Sequence, residues 1–160
     1  MEYTKEILRK RLMAYKQYTL SSQLNSFIRK PNFPEDISEN IVRLYELQDC
    51  SEWKHKSGDL YCKDSGKIEV KCFSSTGPIS FGPKETWDLL YIVDATLFYD
   101  DKFSIYKINL SNKDDIWRNI RVSLAQSYED QILQKRRPRI TWKKLYAQIY
   151  SHCEERTLCI

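Results

Sequence analysis

The sequence lacks any apolar run approaching the roughly 20 residues that a membrane-spanning helix needs, and its N-terminus is charged from the second residue onward. These absences argue against a transmembrane helix and against a secretory signal peptide. The 160 residues also contain no internal repeat and no low-complexity segment. We therefore expect one globular domain, residues 1–160, in the cytoplasm, long enough to bury a hydrophobic core.

Cysteine pairs with metal-binding spacing are also missing. The five cysteines form an odd set without a CxxC motif, which disfavours a zinc site. Cys62 and Cys72 fall on predicted strands, and we interpret them as small, buried, apolar residues. Such cysteine usage is typical of a reducing, intracellular compartment.

A large excess of one charge is absent as well, since 26 Lys and Arg against 22 Asp and Glu give a formal net charge of +4. Such mild basicity does not by itself indicate a polyanionic partner. The distribution is more informative, because basic residues concentrate in residues 5–16 and 136–144, whereas the middle of the chain carries the acids. The two ends are therefore the candidate surfaces for an anionic partner.

Residues 58–73 predict a β-hairpin. Residues 67–73 alternate polar and apolar side chains, as a half-buried strand does, and Asp64-Ser65-Gly66 suits a three-residue turn. With this turn, the expected pairs are Lys63 with Lys67, Tyr61 with Glu69, and Asp59 with Lys71.

Three charged side chains of this hairpin are expected on one face. Alternate residues of a strand share a face, which groups Asp59, Glu69 and Lys71. Asp59 and Glu69 are then diagonal neighbours, with backbones roughly 7–8 Å apart. Two converging carboxylates suit Mg²⁺, which prefers oxygen ligands and keeps several waters. The alternative is an ordinary surface hairpin whose polar face is hydrated.

Asp59, followed by Glu69-Val70-Lys71 on the next strand, resembles the motif of the PD-(D/E)XK nuclease superfamily, the fold of many type II restriction endonucleases. Proline normally precedes the first acid of that motif, and Gly58 stands here instead. The resemblance covers roughly residues 35–110. It implies a sequence-specific type II restriction endonuclease that hydrolyses phosphodiester bonds of double-stranded DNA as a homodimer, with Mg²⁺, or Mn²⁺ in its place, as cofactor.

The resemblance also implies roles for individual residues. Asp59, Glu69 and the backbone carbonyl of Val70 would hold the metal, and Lys71 would orient or help to deprotonate the attacking water. A helix before the hairpin often supplies a further acid in this superfamily, and Glu39 fits that place, with Glu46 in reserve. A homing-type or phage endonuclease would share this chemistry, and a non-catalytic DNA-binding module would use only the basic ends.

Two further stretches are candidates for DNA contact. The loop of residues 74–83 carries four hydroxyls and two Gly-Pro turns and leaves the catalytic strand directly, so it should overhang the metal site. Residues 134–144 place six cations and Trp142 in eleven positions, stiffened by Pro138. The predicted DNA-binding residues are Ser74, Ser75, Thr76, Ser80, Lys84, Arg136, Arg137, Arg139, Lys143 and Lys144.

The remaining pattern predicts an α/β (α+β-like) domain with a restriction endonuclease-like core, in which helices flank a central mixed sheet of about four to five strands. We divide it into a helical arm (1–30), a catalytic core (35–110) and a basic helical C-terminal part (111–160). Helices are predicted over 4–24, from Asp36 or Ser38 to about 48, at 84–88, from 111–115 onward and over 140–150. Strands are predicted over 89–95 and 102–110, residues 50–57 as a connector and 151–160 as a tail.

Overall fold

The computed structural model describes residues 3–29, 32–47, 51–53 and 59–160. The helices are α1 (Lys5–Leu24), α2 (Glu35–Tyr45), α3 (Asp115–Arg118), α4 (Tyr128–Leu133) and α5 (Trp142–Ile149). The strands are β1 (Ser51–Trp53), β2 (Leu60–Cys62), β3 (Gly66–Phe73), β4 (Ile79–Ser80), β5 (Leu89–Asp94), β6 (Lys102–Ile108), β7 (Arg139–Ile140) and β8 (Cys153–Cys159). None of the helices in the described ranges is long and apolar enough to cross a membrane.

The fold is built on a mixed central sheet with the strand order β1-β2-β3-β5-β6-β8. A separate two-stranded sheet pairs β4 with β7. The β3–β5 pair is parallel and the other pairs of the large sheet are antiparallel. Helices flank this sheet, so the predicted fold class is confirmed. The sheet has six strands rather than the predicted four to five, because β1 and β8 extend its two edges.

The sheet has a hydrophobic layer on each face, and the central strand β5 contributes buried side chains to both layers. Its residues Leu89, Tyr91 and Val93 pack with the side chains of α1 and α2, while Leu90 and Ile92 pack with α5 and the tryptophans on the other face. A strand covered on both sides reads as one continuous apolar run, as 89–93 does. The neighbouring β3 therefore lies well inside the domain.

The N-terminal helices are close to their prediction. Helix α1 begins after Thr4, whose hydroxyl accepts a hydrogen bond from the backbone N–H of Ile7. Helix α2 begins one residue after Pro34, and neither Asp36 nor Ser38 caps it. Both predicted caps are wrong, because Pro34 occupies the N-cap position and Asp36 and Ser38 already lie inside the helix.

Seven of the last ten residues form strand β8, so the predicted tail is wrong. Strand β8 pairs with β6 over its whole length, from Lys102 with Cys159 to Ile108 with Cys153. Most of its side chains are exposed, and Leu158 is its one buried residue. An edge strand with one hydrated face carries charged residues, and such a sequence has little hydrophobic periodicity to reveal it.

Several local predictions also need correction. Residues 84–88 contain a turn at Pro83-Lys84 and no helix, because the backbone N–H of Trp87 is bonded to the side chain of Asn112. Helix α3 begins at Asp115, the last position of its predicted start, whereas Thr141 caps α5, which begins two residues later than predicted. The segment 111–160 is helical only in part, since β7 and β8 belong to it. Of the connector 50–57, residues 51–53 form β1, and residues 50 and 54–57 lie outside the described residues.

The cysteines are also not all as expected. Cys62 is buried, as predicted, but it is disulfide-bonded, which makes its interpretation as a purely apolar residue wrong. Cys72, Cys153 and Cys159 are free thiols. Sequence spacing without a CxxC motif gives no signal for a bridge that folding brings about.

Candidate active site

The hairpin of β2 and β3 has the predicted faces but a different register. Leu60 pairs with Ile68, Tyr61 with Lys67 and Cys62 with Gly66, so the expected pairs are wrong by two residues. Residues 63–65 form the turn, and Gly66 takes the positive φ of 77° as the first residue of β3. A shift of two residues leaves each side chain on its face, since the period of a strand is two.

The new register brings Asp59 beside Glu69. The backbone N–H of Asp59 donates to the carbonyl of Ile68 at 3.1 Å, and Oδ2 of Asp59 accepts from the N–H of Val70 at 2.8 Å. Both carboxyl groups line the same cleft, and the charge of Asp59 acts on the carboxyl group of Glu69. The two acids therefore converge, as the sequence analysis predicted for their shared face.

Burial makes these two carboxyl groups hard to ionise together. Glu69 is only 5% exposed, and this burial, followed by the charge of Asp59, raises its pKa to about 8. Burial likewise raises the pKa of Asp59, against the opposing hydrogen bond from Val70. Two adjacent buried carboxyls share a proton unless a cation neutralises them.

Lys71 lies on the same face and is held by two acids. Its Nζ is 3.3 Å from Oε1 of Glu69 and 2.9 Å from the carboxylate of Glu85, and it lies over the ring of Phe81 at 5.6 Å. Burial would lower the pKa of Lys71, but the hydrogen bond and charge of Glu85, and then Glu69, raise it. The ammonium is therefore charged at neutral pH, which favours charge balance over proton abstraction as its role.

These side chains line one cleft of about 400 Å³. Its lining contains two acids that the sequence analysis did not select, Glu35 and Glu85. Glu35 is one helical turn before Glu39, and that i, i+4 spacing could have drawn attention to it. Glu85 had no such signal, because only the path of the chain after β4 brings it to Lys71.

The predicted acids of α2 separate in the structure. Burial, then the charges of Asp59 and Glu35, raises the pKa of Glu39 to about 7, which places Glu39 in the electrostatic field of the cleft. Glu46 instead pairs with Arg156 at 3.2 Å, away from Asp59. Of the two, Glu39 is the one that can influence the hairpin acids.

The two predicted DNA-contact stretches are joined by the small sheet. Ile79 pairs with Ile140 and Ser80 with Arg139, which places the 74–83 loop against the basic segment. Arg137 reaches the cleft from this segment, with Nη1 3.4 Å from Oγ of Ser80 and 3.9 Å from Oε1 of Glu85. Ser80 and Arg137 are thus at the cleft, beside the overhanging loop that the sequence predicted.

The other predicted DNA-binding residues lie around the cleft rather than in it. Ser75, Thr76 and Lys143 line a neighbouring, mostly apolar cavity with Trp142, and Ser74 lines another beside it. Lys84 faces a cavity on the far side of Glu85. Arg139 is exposed, and Arg136 and Lys144 bond to the 121–127 segment, through Gln126 at 2.8 Å and the carbonyl of Val122 at 2.7 Å.

Within the ranges that the structure describes, no three His, Cys, Asp or Glu side chains are arranged as a ready-made metal site. A cation in the cleft would be held by the Asp59–Glu69 pair, with the remaining positions left to backbone oxygen, water or a substrate oxygen. That ligand number is usual for Mg²⁺ at a phosphate-transfer site.

Comparison with known proteins gives two findings. A family model described as Bsp6I restriction endonuclease matches residues 3–149. The type II restriction enzyme Bsp6I of Bacillus sp. (strain RFL6) is 34% identical over 139 residues, which cover 80% of this chain and 75% of that enzyme. No solved structure matches the chain significantly.

Proposed function

The chain belongs to the Bsp6I restriction endonuclease family and is a DNA endonuclease of the type II restriction class, and from this premise we propose that it cuts double-stranded DNA, sequence-specifically and with Mg²⁺, at the Asp59–Glu69–Lys71 cleft. We further propose that this cleft is of the PD-(D/E)XK type. The observation that carries the proposal is the convergence of two buried carboxyls and one ammonium in a single cleft.

The donor set of the cleft fits a hard divalent cation. Asp59 and Glu69 both line the cleft, and burial raises the pKa of each carboxyl group, so a cation bound between them would offset the cost of ionising both. We assign Asp59, Glu69 and the Val70 carbonyl as the groups that would hold Mg²⁺. When bound, such an ion polarises the phosphate and lowers the pKa of a coordinated water.

The remaining residues position the substrate. In the hydrolysis, water oxygen forms a new bond to phosphorus, one ester P–O bond breaks, and a phosphomonoester end and a hydroxyl end result. Lys71, held by Glu85, keeps a positive charge directed at the phosphate oxygens as negative charge develops on them. Glu39 contributes a further acid near Asp59, and Arg137 contacts a neighbouring phosphate from the rim.

The direct test is plasmid cleavage. We expect purified protein to linearise or nick supercoiled plasmid with Mg²⁺ and with Mn²⁺. Cleavage should stop when EDTA is added, because the Asp59–Glu69 pair then lacks its neutralising ion. Agarose gels read the result. Discrete fragments that recur on several DNAs would support restriction-type short sites, whereas a single rare cut would support a homing-type enzyme. Cleavage undiminished by EDTA would contradict the metal assignment.

Cutting both strands calls for two clefts. We propose that the enzyme acts as a homodimer, because two-fold symmetry places one Asp59–Glu69 cleft on each antiparallel strand. Light scattering of the protein alone and on a cleavable duplex would measure the mass. The family membership favours a DNA-cleaving enzyme over a non-catalytic DNA-binding module.

Arg137 provides a prediction about DNA affinity. Its guanidinium is half exposed at the cleft rim, so Arg137→Ala should weaken DNA binding without unfolding the protein. Loss of one phosphate contact should reduce the slope of log K against log salt by about 1. Fluorescence anisotropy across a salt series measures both changes. Arg29→Ala, which alters a cation outside the cleft lining, is the control, and equal slopes for Arg137→Ala and the parent would exclude the contact.

A further inference from the structure

Residues 121–127 form a loop, here called the leucine loop, whose tip is Leu124. This side chain is fully exposed, with a relative accessibility of 103%. Single exposed leucines are ordinary on protein surfaces, and Leu24 on α1 is 77% exposed. Two features distinguish Leu124 from such residues: the rigidity of its loop and the cations around it.

Hydrogen bonds hold the leucine loop in one shape. A β-bridge joins Arg121 to Ser127 at its base, and the N–H groups of Val122 and Ser123 both donate to the carbonyl of Gln126, at 3.1 and 3.2 Å. The N–H of Gln126 returns a bond to Oγ of Ser123 at 3.1 Å. Since the loop is already ordered, little conformational entropy is lost when its tip enters a binding partner.

Basic side chains surround the base of the loop. Lys144 donates to the carbonyl of Val122 at 2.7 Å, Arg136 donates to Oε1 of Gln126 at 2.8 Å, and Arg121 belongs to the loop itself. The leucine loop thus carries an apolar tip on a base that binds Lys144 and Arg136, with Asp130 near Arg121 as the acid beside it. Its link to the cleft is Arg136, which precedes the cleft residue Arg137 along the chain. Such an apolar tip with cations at its base matches a duplex that offers stacked bases between two rows of phosphates.

We propose that Leu124 is a wedge that enters bound DNA at a base-pair step beside the cleavage site, while Arg121, Arg136 and Lys144 contact the flanking phosphates. Apolar side chains inserted between base pairs unstack them and kink the duplex, and the bend lets more protein surface engage the DNA. The proposal deepens the DNA-cleaving function proposed above and rests on it. It assigns the leucine loop a part in shaping the substrate at the cleft.

The test uses a duplex carrying the sequence that the parent enzyme cuts, read from the ends of cleaved plasmid. 2-Aminopurine replaces one base at a time across the site, and its fluorescence rises when the base is unstacked. With the non-cutting Lys71→Ala protein, we expect a several-fold rise at one step beside the cut. Adding Leu124→Ala to that protein should abolish the rise, and Leu124→Met should restore much of it.

Cleavage gives a second readout. Leu124→Ala alone should lower the single-turnover rate at least about tenfold because the kinked substrate is lost, with its melting temperature unchanged, whereas Leu24→Ala should cut at the parent rate. Unaltered fluorescence at every position, or Leu124→Ala cutting within twofold of the parent, would overturn the wedge. A lower mass of Leu124→Ala in light scattering, with silent fluorescence, would assign the tip to a second copy instead. Either result leaves the proposed function intact if the parent still cuts with Mg²⁺.

Discussion

Lys71→Ala is expected to lower the DNA cleavage rate about a thousandfold or more, while DNA binding falls only modestly. The ammonium is the positive charge that Glu69 and Glu85 hold inside the cleft, at 3.3 and 2.9 Å. A fixed charge directed at developing negative charge in a water-poor site contributes far more to the transition state than to the bound substrate. Single-turnover cleavage of plasmid at saturating protein measures the chemical step, and anisotropy measures binding.

Two variants make this prediction specific. Lys71→Arg keeps the positive charge and should retain part of the activity, since the role derived for Lys71 needs a charge and not a neutral base. Lys67→Ala changes a lysine on the same face of β3, outside the lining of the cleft, and should cut within about twofold of the parent rate. Parent-like cleavage by Lys71→Ala, in a protein of normal melting temperature, would remove Lys71 from the active site.

The location of this site could be predicted because strand periodicity is unaffected by a two-residue error in the hairpin register. The observed turn differs from the predicted one by one residue and the pairing by two, yet Asp59, Glu69 and Lys71 stay on one face, since a two-residue shift preserves the alternation. Apolar periodicity also placed α1 and β5 within one residue of their bounds. Elements with a strong local pattern can thus be predicted from the sequence.

What the sequence could not predict depends on contacts between distant segments. Glu85 reaches Lys71 only because β4 turns the chain back over the cleft, and β4 itself exists through its pairing with β7. Strand β8 has one buried residue and otherwise charged or polar side chains, so its burial pattern is too weak to separate it from a tail. The order at Leu124 likewise arises from side chains of α5 and of the basic segment.

Glu69→Gln is expected to abolish cutting and yet to stabilise the metal-free protein above neutral pH. Burial and the charge of Asp59 raise the pKa of Glu69 from 4.5 to about 8, so between these values the folded state binds more protons than the unfolded chain. The free energy of unfolding therefore falls as the pH rises through this window. Replacing the acid with Gln should raise the free energy of unfolding by about 1 to 3 kcal/mol at pH 8.5, which corresponds to roughly 3 to 10 °C in melting temperature.

Melting curves in EDTA from pH 5 to pH 9, repeated with Mg²⁺, provide the measurement. The parent should lose stability up to about pH 8, whereas the decline in Glu69→Gln should end nearer the pKa of about 7 that burial gives Glu39. Mg²⁺ should raise the melting temperature of the parent, most at high pH where metal no longer competes with protons, and should leave Glu69→Gln nearly unchanged. Glu6→Gln, at an exposed position of α1, should follow the parent throughout. If Mg²⁺ raises the melting temperature of Glu69→Gln as much as that of the parent, the ion is bound elsewhere, and the raised pKa values of Asp59 and Glu69 do not mark a metal site.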